Sequence, residues 1–191
     1  LVDWGPHILP IPVGRFIEIL GRVADAEADR IVESDRSRYD ADPGVTREMH
    51  RRSARLEIAL RQLVEEYGLG AFSMNFLDLV ADGRCPTLPF LGINKLMAEG
   101  LGYAGEGDAL TAAFMAQLRQ LAGAATFAEM YTADYAARRI VMTHMQECNP
   151  ALARRDRRIR LVPKTFWAPG MQPYVGMHFT LEPGPVTFAV L

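Results

Sequence analysis

The sequence is poor in cysteine, in net charge and in long apolar runs, and each shortage removes a class of function. Two cysteines, Cys85 and Cys148, in 191 residues cannot frame a disulfide-stapled secreted fold. They form no Cys-x-x-Cys pair either, and a reducing cytoplasm is the expected setting. A net charge of −2 supplies no field for nucleic acid or an anionic membrane surface. The one dense basic run, "ARRDRRIR" with Arg154, Arg155, Arg157, Arg158 and Arg160, reads as a solvated turn. The apolar opening "HILPIPVGRFIEIL" is broken by Pro10 and Pro12 and carries Arg15 and Glu18, so it is neither a signal peptide nor a membrane span. Gly-x-Ser-x-Gly, Walker and Gly-x-Gly-x-x-Gly motifs are missing. Acyl transfer, nucleotide hydrolysis and dinucleotide binding therefore lack support.

What remains is an ordinary globular composition, with 49% hydrophobic and 23% charged residues, enough apolar surface for a core. The length lies between one domain and two small ones. The chain starts at Leu1 without methionine and finishes in the apolar run "VTFAVL" after Gly184-Pro185. It is expected to be a piece of a longer protein.

Helices alternating with short strands are expected over the first two thirds. Residues 22–39 are helical in composition, and Asp42-Pro43 offers a cap and a first-turn proline for the next helix. Within that helix Met49, Leu56, Leu60, Leu63, Val64 and Tyr67 form an amphipathic stripe, ended by Gly68 and Gly70. "AFSMNF" (71–76) reads as a buried strand, "FLGINKLMAEG" as a helix closed by Gly100, and 108–121 as another helix. This order predicts an α/β fold with an open, mostly parallel sheet and flanking helices. After Gly123 the runs "ATFAEMYTADY", "RRIVMTHM", "RIRLVPKTF", "YVGMHFTLE" and "VTFAVL" are short, β-branched and aromatic. The expected division is an α/β domain over 1–124 and a β-rich, antiparallel part over 125–191.

The stretch "GYAGEGDALTAAF" sets Glu106 between Gly105 and Gly107, with Asp108 opening the helix that follows. A phosphate cradle is disfavoured, because a carboxylate at a helix N-terminus repels an anion and itself occupies the positive end of the dipole. An ionised acid on so bare a backbone suits a cation, since the glycines allow close approach. Capping of the helix by Glu106 or Asp108 is the alternative. Further candidate ligands are Glu129 in "TFAEMYT" and His144 in "IVMTHMQE", each in an apolar, strand-like run. Such residues are also common as a solvent-facing glutamate and a satisfied core histidine. Two carboxylates and an imidazole would suit Mn²⁺, Fe²⁺ or Co²⁺. His50, beside Arg51 and Arg52, is expected to be solvated, while His7 and His178 have no evident partner.

Three segments in order carry a family resemblance. "LPFLGINKLMAEGLGYAGEGDALTAAFM" resembles the L-arabinose isomerase segment that reads Leu-Pro-Gly, helix, Gly-Tyr-Gly-Phe-Ala-Gly-Glu-Gly-Asp, helix. "TFAEMYT" is similar to that family's Ser/Thr-Phe-Met-Glu-Asp-Tyr-Thr, and "THMQECNP" to its Ser-His-Met-Leu-Glu-Val-Cys-Pro. "LEIALRQLVEEYGLGAFSMNFLDL" matches the helix and strand upstream, so the likeness runs from about Gly21 onward.

The resemblance implies a central α/β domain followed by the start of a C-terminal, barrel-like β-rich domain. It places Glu106 and Glu129 on the family's two metal-binding acid/base glutamates, His144 on a metal-binding histidine, and Phe76 on an aromatic residue of the sugar pocket. The activity implied is a Mn²⁺-dependent aldose–ketose isomerisation through an enediol, in a cytoplasmic homo-oligomer, on L-arabinose or a related sugar. A fourth ligand, a histidine in the family, would fall beyond Leu191, so the chain alone is expected to be inactive. The neighbours differ: Ala109 stands where the family has Trp, Met130 where it has Asp, and Leu77 where it has Glu. The alternatives are a sugar-binding or regulatory relative without turnover, and a structural domain in which Glu106 is only a cap.

Overall fold

A computed structural model describes residues 5–190. Among these residues six α-helices and seven short strands run in the order α1 (Val13–Arg22), α2 (Asp25–Arg38), β1 (Asp40–Ala41), α3 (Arg47–Tyr67), β2 (Ala71–Met74), α4 (Phe76–Asp82), α5 (Phe90–Glu99), β3 (Gly102–Gly105), α6 (Ala109–Ala122), β4 (Glu129–Asp134), β5 (Arg139–Thr143), β6 (Arg160–Lys164) and β7 (Tyr174–His178), with a short 3-10 turn at Pro150–Leu152 before β6.

The long helix α3 begins four residues later than the Asp42-Pro43 cue suggests. Asp42 instead closes a turn, its carboxylate accepting from the Gly44 amide at 2.9 Å and its carbonyl from Val45 at 2.9 Å. Thr46 takes the cap, its hydroxyl accepting from the Met49 amide. Gly68 ends the helix at φ 60, the left-handed conformation a glycine adopts without strain. The apolar stripe buries Leu56, Leu60 and Leu63 against α1, α2 and α5. Phe16, Leu79, Phe90, Ile93 and Tyr103 complete that cluster.

His50 contradicts the expectation of solvation: it is 0% exposed and hydrogen-bonds the Asp35 carboxylate at 2.9 Å. Lys95 bridges Asp35 at 2.6 Å and Glu57 at 2.5 Å, and Arg61 joins Glu57 to Glu99. The physical reason is register. His50 and Glu57 are seven residues apart on α3 and share its inward face, so their polar partners on α2 and α5 must be buried with them.

Three small sheets replace the expected single open one. β2 and β3 pair in parallel, with Met74 opposite Gly105. β1 and β6 pair in parallel and β7 lies antiparallel on β6. β4 and β5 form an antiparallel hairpin with a bulge between Met130 and Thr132. No closed barrel occurs among the described residues. β2 stops at Met74 because the Asn75 side chain accepts from the Leu77 amide and caps α4, so Phe76 is helical where a strand was expected. Residues 186–190 of the expected last strand are not in a sheet, and Leu191 and Leu1 lie outside the described residues. The basic run is an exposed turn, as its composition suggests. There Arg154 pairs with Asp156, Arg158 with Asp40 and Arg160 with Asp42.

α6 crosses β3 so closely that a Cβ on Gly102 would collide with the Ala112 carbonyl oxygen. That contact places the start of α6, and the turn before it, over the carboxyl end of β3.

Candidate functional site

The turn after β3 is held from β2. The Ser73 hydroxyl donates to the Ala104 carbonyl at 2.7 Å and accepts from the Gly107 amide at 2.9 Å. Asp108 caps α6, accepting from the Thr111 amide at 2.8 Å and hydroxyl at 2.6 Å. Those donors keep its carboxyl below the usual aspartate range. Capping thus belongs to Asp108, and Glu106 is left exposed at φ 61, in a conformation costly for any residue with a Cβ.

The hairpin brings the other two candidates to the same end of the fold. Glu129 opens β4 and lies opposite Thr143, the last residue of β5, so His144 follows directly at the hairpin base. His144 falls just outside the strand in which it was expected, because its chain turns there. Its Nδ1 meets Glu147 Oε2 at 2.7 Å, and the Gln146 amide donates to the same oxygen at 3.1 Å. The imidazole lies against the backbone of Gly105, where a Cβ would come within 2.9 Å of its Cε1 and 3.2 Å of its Nε2. Phe127 packs edge-on against the ring at a centroid distance of 4.9 Å.

Burial works against a charged His144, but the Glu147 hydrogen bond and charge, with the charges of Glu129 and Glu106 added, outweigh it and raise its pKa. Glu129, like Glu106, is exposed, and the side chain of neither makes a hydrogen bond or ion pair with another described residue. Phe76, by contrast, is buried at 4% exposure, its ring 4.9 Å from that of Phe90. Leu77 beside it is exposed.

Glu147 is a site residue that no local pattern in the sequence singles out. Its side chain has no exposure, and it accepts from the Tyr103 hydroxyl at 2.9 Å as well as meeting His144. Burial, then the Glu147 charge and hydrogen bond, push the Tyr103 phenol well up, so it stays a donor. The one trace of it, an acid three residues after a histidine, is hidden by the more evident His144.

As a metal site the set is partial. The donor types fit a divalent ion: Nε2 of His144 makes no hydrogen bond among the described residues while Nδ1 is tied to a carboxylate, the usual arrangement behind a ligating imidazole. The geometry is open, since no three His, Cys, Asp or Glu side chains among the described residues stand together as a ready-made cage. A groove of about 1050 Å³ runs alongside, between the segment at Pro10 and Pro12, β2 and α6. It reaches Ser73 and Gly107 and leaves out Glu106, Glu129 and His144. No described helix is long and apolar enough to cross a membrane.

The carboxyl end of a parallel strand, where Glu106 stands, is the place at which open α/β sheets bind ligands. Comparison with known proteins names the family. Residues 2–124 match the family model for the L-arabinose isomerase central domain. The L-arabinose isomerase of a Nocardioides species is 33% identical over 184 residues, 91% of this chain and 36% of that protein. That of Clavibacter sepedonicus is 32% identical over 190 residues, 94% of this chain and 37% of that protein. That of Salmonella enteritidis is 27% identical across the whole chain, which covers 39% of it. The chain belongs to the L-arabinose isomerase family and spans just over a third of the length of these relatives.

Proposed function

We propose that this chain is the proton-handling part of a metal-dependent aldose–ketose isomerase acting on L-arabinose or a sugar of similar shape. The observation that carries the reading is the packing of the His144 imidazole, its Nε2 without a hydrogen bond among the described residues, against Gly105 beside Glu106, in a chain of this family. Isomerisation moves a proton between adjacent carbons through an enediol. Glu106 and Glu129, both free of internal partners, are the groups able to remove that proton and return it. The same two carboxylates and His144 would hold Mn²⁺, and a bound ion supplies Lewis-acid polarisation of the two sugar oxygens.

The remaining ligands and sugar contacts are assigned to polypeptide outside this chain, in a cytoplasmic homo-oligomer, and the chain alone is read as inactive. Within that protein, residues 1–124 are read as the central α/β domain and 125–191 as the first part of a β-rich, barrel-like one. Phe76 is read as the aromatic residue of the sugar pocket, although in this chain it is buried against Phe90. Leu77 and Met130, which stand where the resemblance places acids, are both exposed, and these altered neighbours leave the choice of sugar open.

The test is ketose formation by the full-length protein from L-arabinose, D-galactose and L-fucose, with Mn²⁺ and with a chelator. Turnover that the chelator abolishes supports the proposal. A folded protein that binds Mn²⁺ and converts no sugar overturns it in favour of a binding relative.

A further inference from the structure

His144 can present Nε2 to the end of β3 only if its ring is held in one orientation and one tautomer, and the chain contains a buried apparatus for both. The structure assigns this task to Glu147, as a positioning residue that keeps the proton of His144 on Nδ1 and the lone pair on Nε2. The inference rests on the reading of His144 as a metal ligand.

Three observations support it. The first is the set of donors on one carboxylate. Oε1 accepts from the Tyr103 hydroxyl at 2.9 Å, and Oε2 from the Gln146 amide at 3.1 Å while facing His144 Nδ1 at 2.7 Å. An ionised carboxylate only accepts, so the nitrogen it faces is the protonated one. The second is the fixation of Glu147 itself. Asn94, fully buried on α5, donates from its amide nitrogen to the Gln146 carbonyl at 3.0 Å and accepts from the Cys148 amide at 3.1 Å, clamping the backbone on both sides of Glu147. Asn149 adds a second clamp, its amide nitrogen donating to the carbonyls of Met97 and Ala125. The third is the opposite wall. The ring fills the space that a side chain at Gly105 would take, and Phe127 packs edge-on against it.

A carboxylate with no solvent exposure is costly unless it is fully bonded. Among the described residues Glu147 pairs with no lysine or arginine, unlike Asp35 and Glu57. Its shortest contact, at 2.7 Å, is to the imidazole. Outer carboxylates of this kind orient a ligating histidine and raise its basicity, and their loss lowers metal affinity about 10- to 100-fold.

The experiment uses the full-length protein with Glu147→Gln, Glu147→Ala and Tyr103→Phe. Mn²⁺ affinity is measured by calorimetry, and the His144 tautomer by solid-state ¹⁵N spectra of histidine-labelled protein, with His144→Gln assigning the signal. Glu147→Ala is expected to weaken Mn²⁺ binding about 10- to 100-fold and to shift the His144 signals toward a mixture of tautomers. Glu147→Gln, whose carbonyl can still accept from Nδ1–H, should fold even if the alanine variant does not, and should lose part of the affinity. Tyr103→Phe should lose less than either. Unchanged affinity together with an unchanged Nδ1–H tautomer in both Glu147 variants overturns the inference. If the wild type binds no Mn²⁺, the metal reading falls, and the tautomer spectra alone decide whether Glu147 orients His144.

Discussion

The imidazole of His144 occupies the space that a side chain at Gly105 would need, with its Cε1 2.9 Å from where the Cβ would lie. The two glycines around Glu106 thus have different physical tasks. Gly105 admits the histidine, whereas Gly107, at φ 91, faces open space and supplies a backbone conformation.

Gly105→Ala is accordingly expected to push His144 out of place, destabilising the fold by about 1–3 kcal/mol through overpacking and weakening Mn²⁺ binding by the full-length protein. Gly107→Ala should cost only the strain of a left-handed residue, about 1 kcal/mol, and leave His144 where it is. Urea denaturation and Mn²⁺ calorimetry on the two variants separate these cases. Equal losses of affinity would show that the His144–Gly105 contact does not matter.

Glu106 carries backbone strain that its neighbours do not relieve. Its φ of 61 is one that glycine adopts freely. Glu106→Gly is therefore expected to leave folding stability unchanged or raised by up to about 1 kcal/mol, while turnover by the intact protein disappears. A clear loss of stability would mean that the side chain has a structural role that its lack of partners does not reveal.

Asp108 is the contrasting acid two residues on. Removing its carboxylate from the Thr111 amide and hydroxyl should cost about 1 kcal/mol, as for other helix caps, with Mn²⁺ affinity unaltered. A fall in affinity on Asp108→Ala at constant fold would place this acid in the site and undo the division of labour between Glu106 and Asp108.

Local cues in the chain explain what could be read in advance. The stripe through Leu56, Leu60 and Leu63, the glycine after α5 and the Asp108 cap are decided by neighbours within a turn or two, and these elements stand where periodicity suggests. Glu106, Glu129 and His144 stand out because an acid between glycines or an ionisable residue in an apolar run is locally odd. Glu147, Asn94 and Tyr103 do not stand out, because their importance arises only when α5, β3 and the 146–149 segment meet. The burial of His50 is hidden for the same reason, since the charge of Arg51 and Arg52 beside it suggests a solvated stretch, whereas its partner Asp35 lies on another helix. The parallel pairing of β1 with β6 joins residues more than a hundred positions apart, and no local pattern encodes it.

The buried charge cluster at Asp35 yields the last prediction. Burial alone would raise the Asp35 pKa, but the hydrogen bond from His50 and the charge and hydrogen bond of Lys95 outweigh it, and the carboxyl lies below its ordinary value. A depressed folded-state pKa stabilises the fold above the unfolded value, about 3.9 for aspartate, and that stabilisation is lost as pH falls through the folded value. Asp35→Ala leaves Lys95 with one carboxylate partner and His50 with none, so it should cost about 3–5 kcal/mol near neutral pH. Asp35→Asn keeps the shape and removes the titration. Its unfolding free energy should be lower near neutral pH and should fall less steeply than that of the wild type below about pH 4. Denaturant unfolding at a series of pH values measures both effects. Parallel curves for wild type and Asp35→Asn through the acid range would show that the aspartate contributes no acid-sensitive stability, and that Lys95 is held by Glu57 alone.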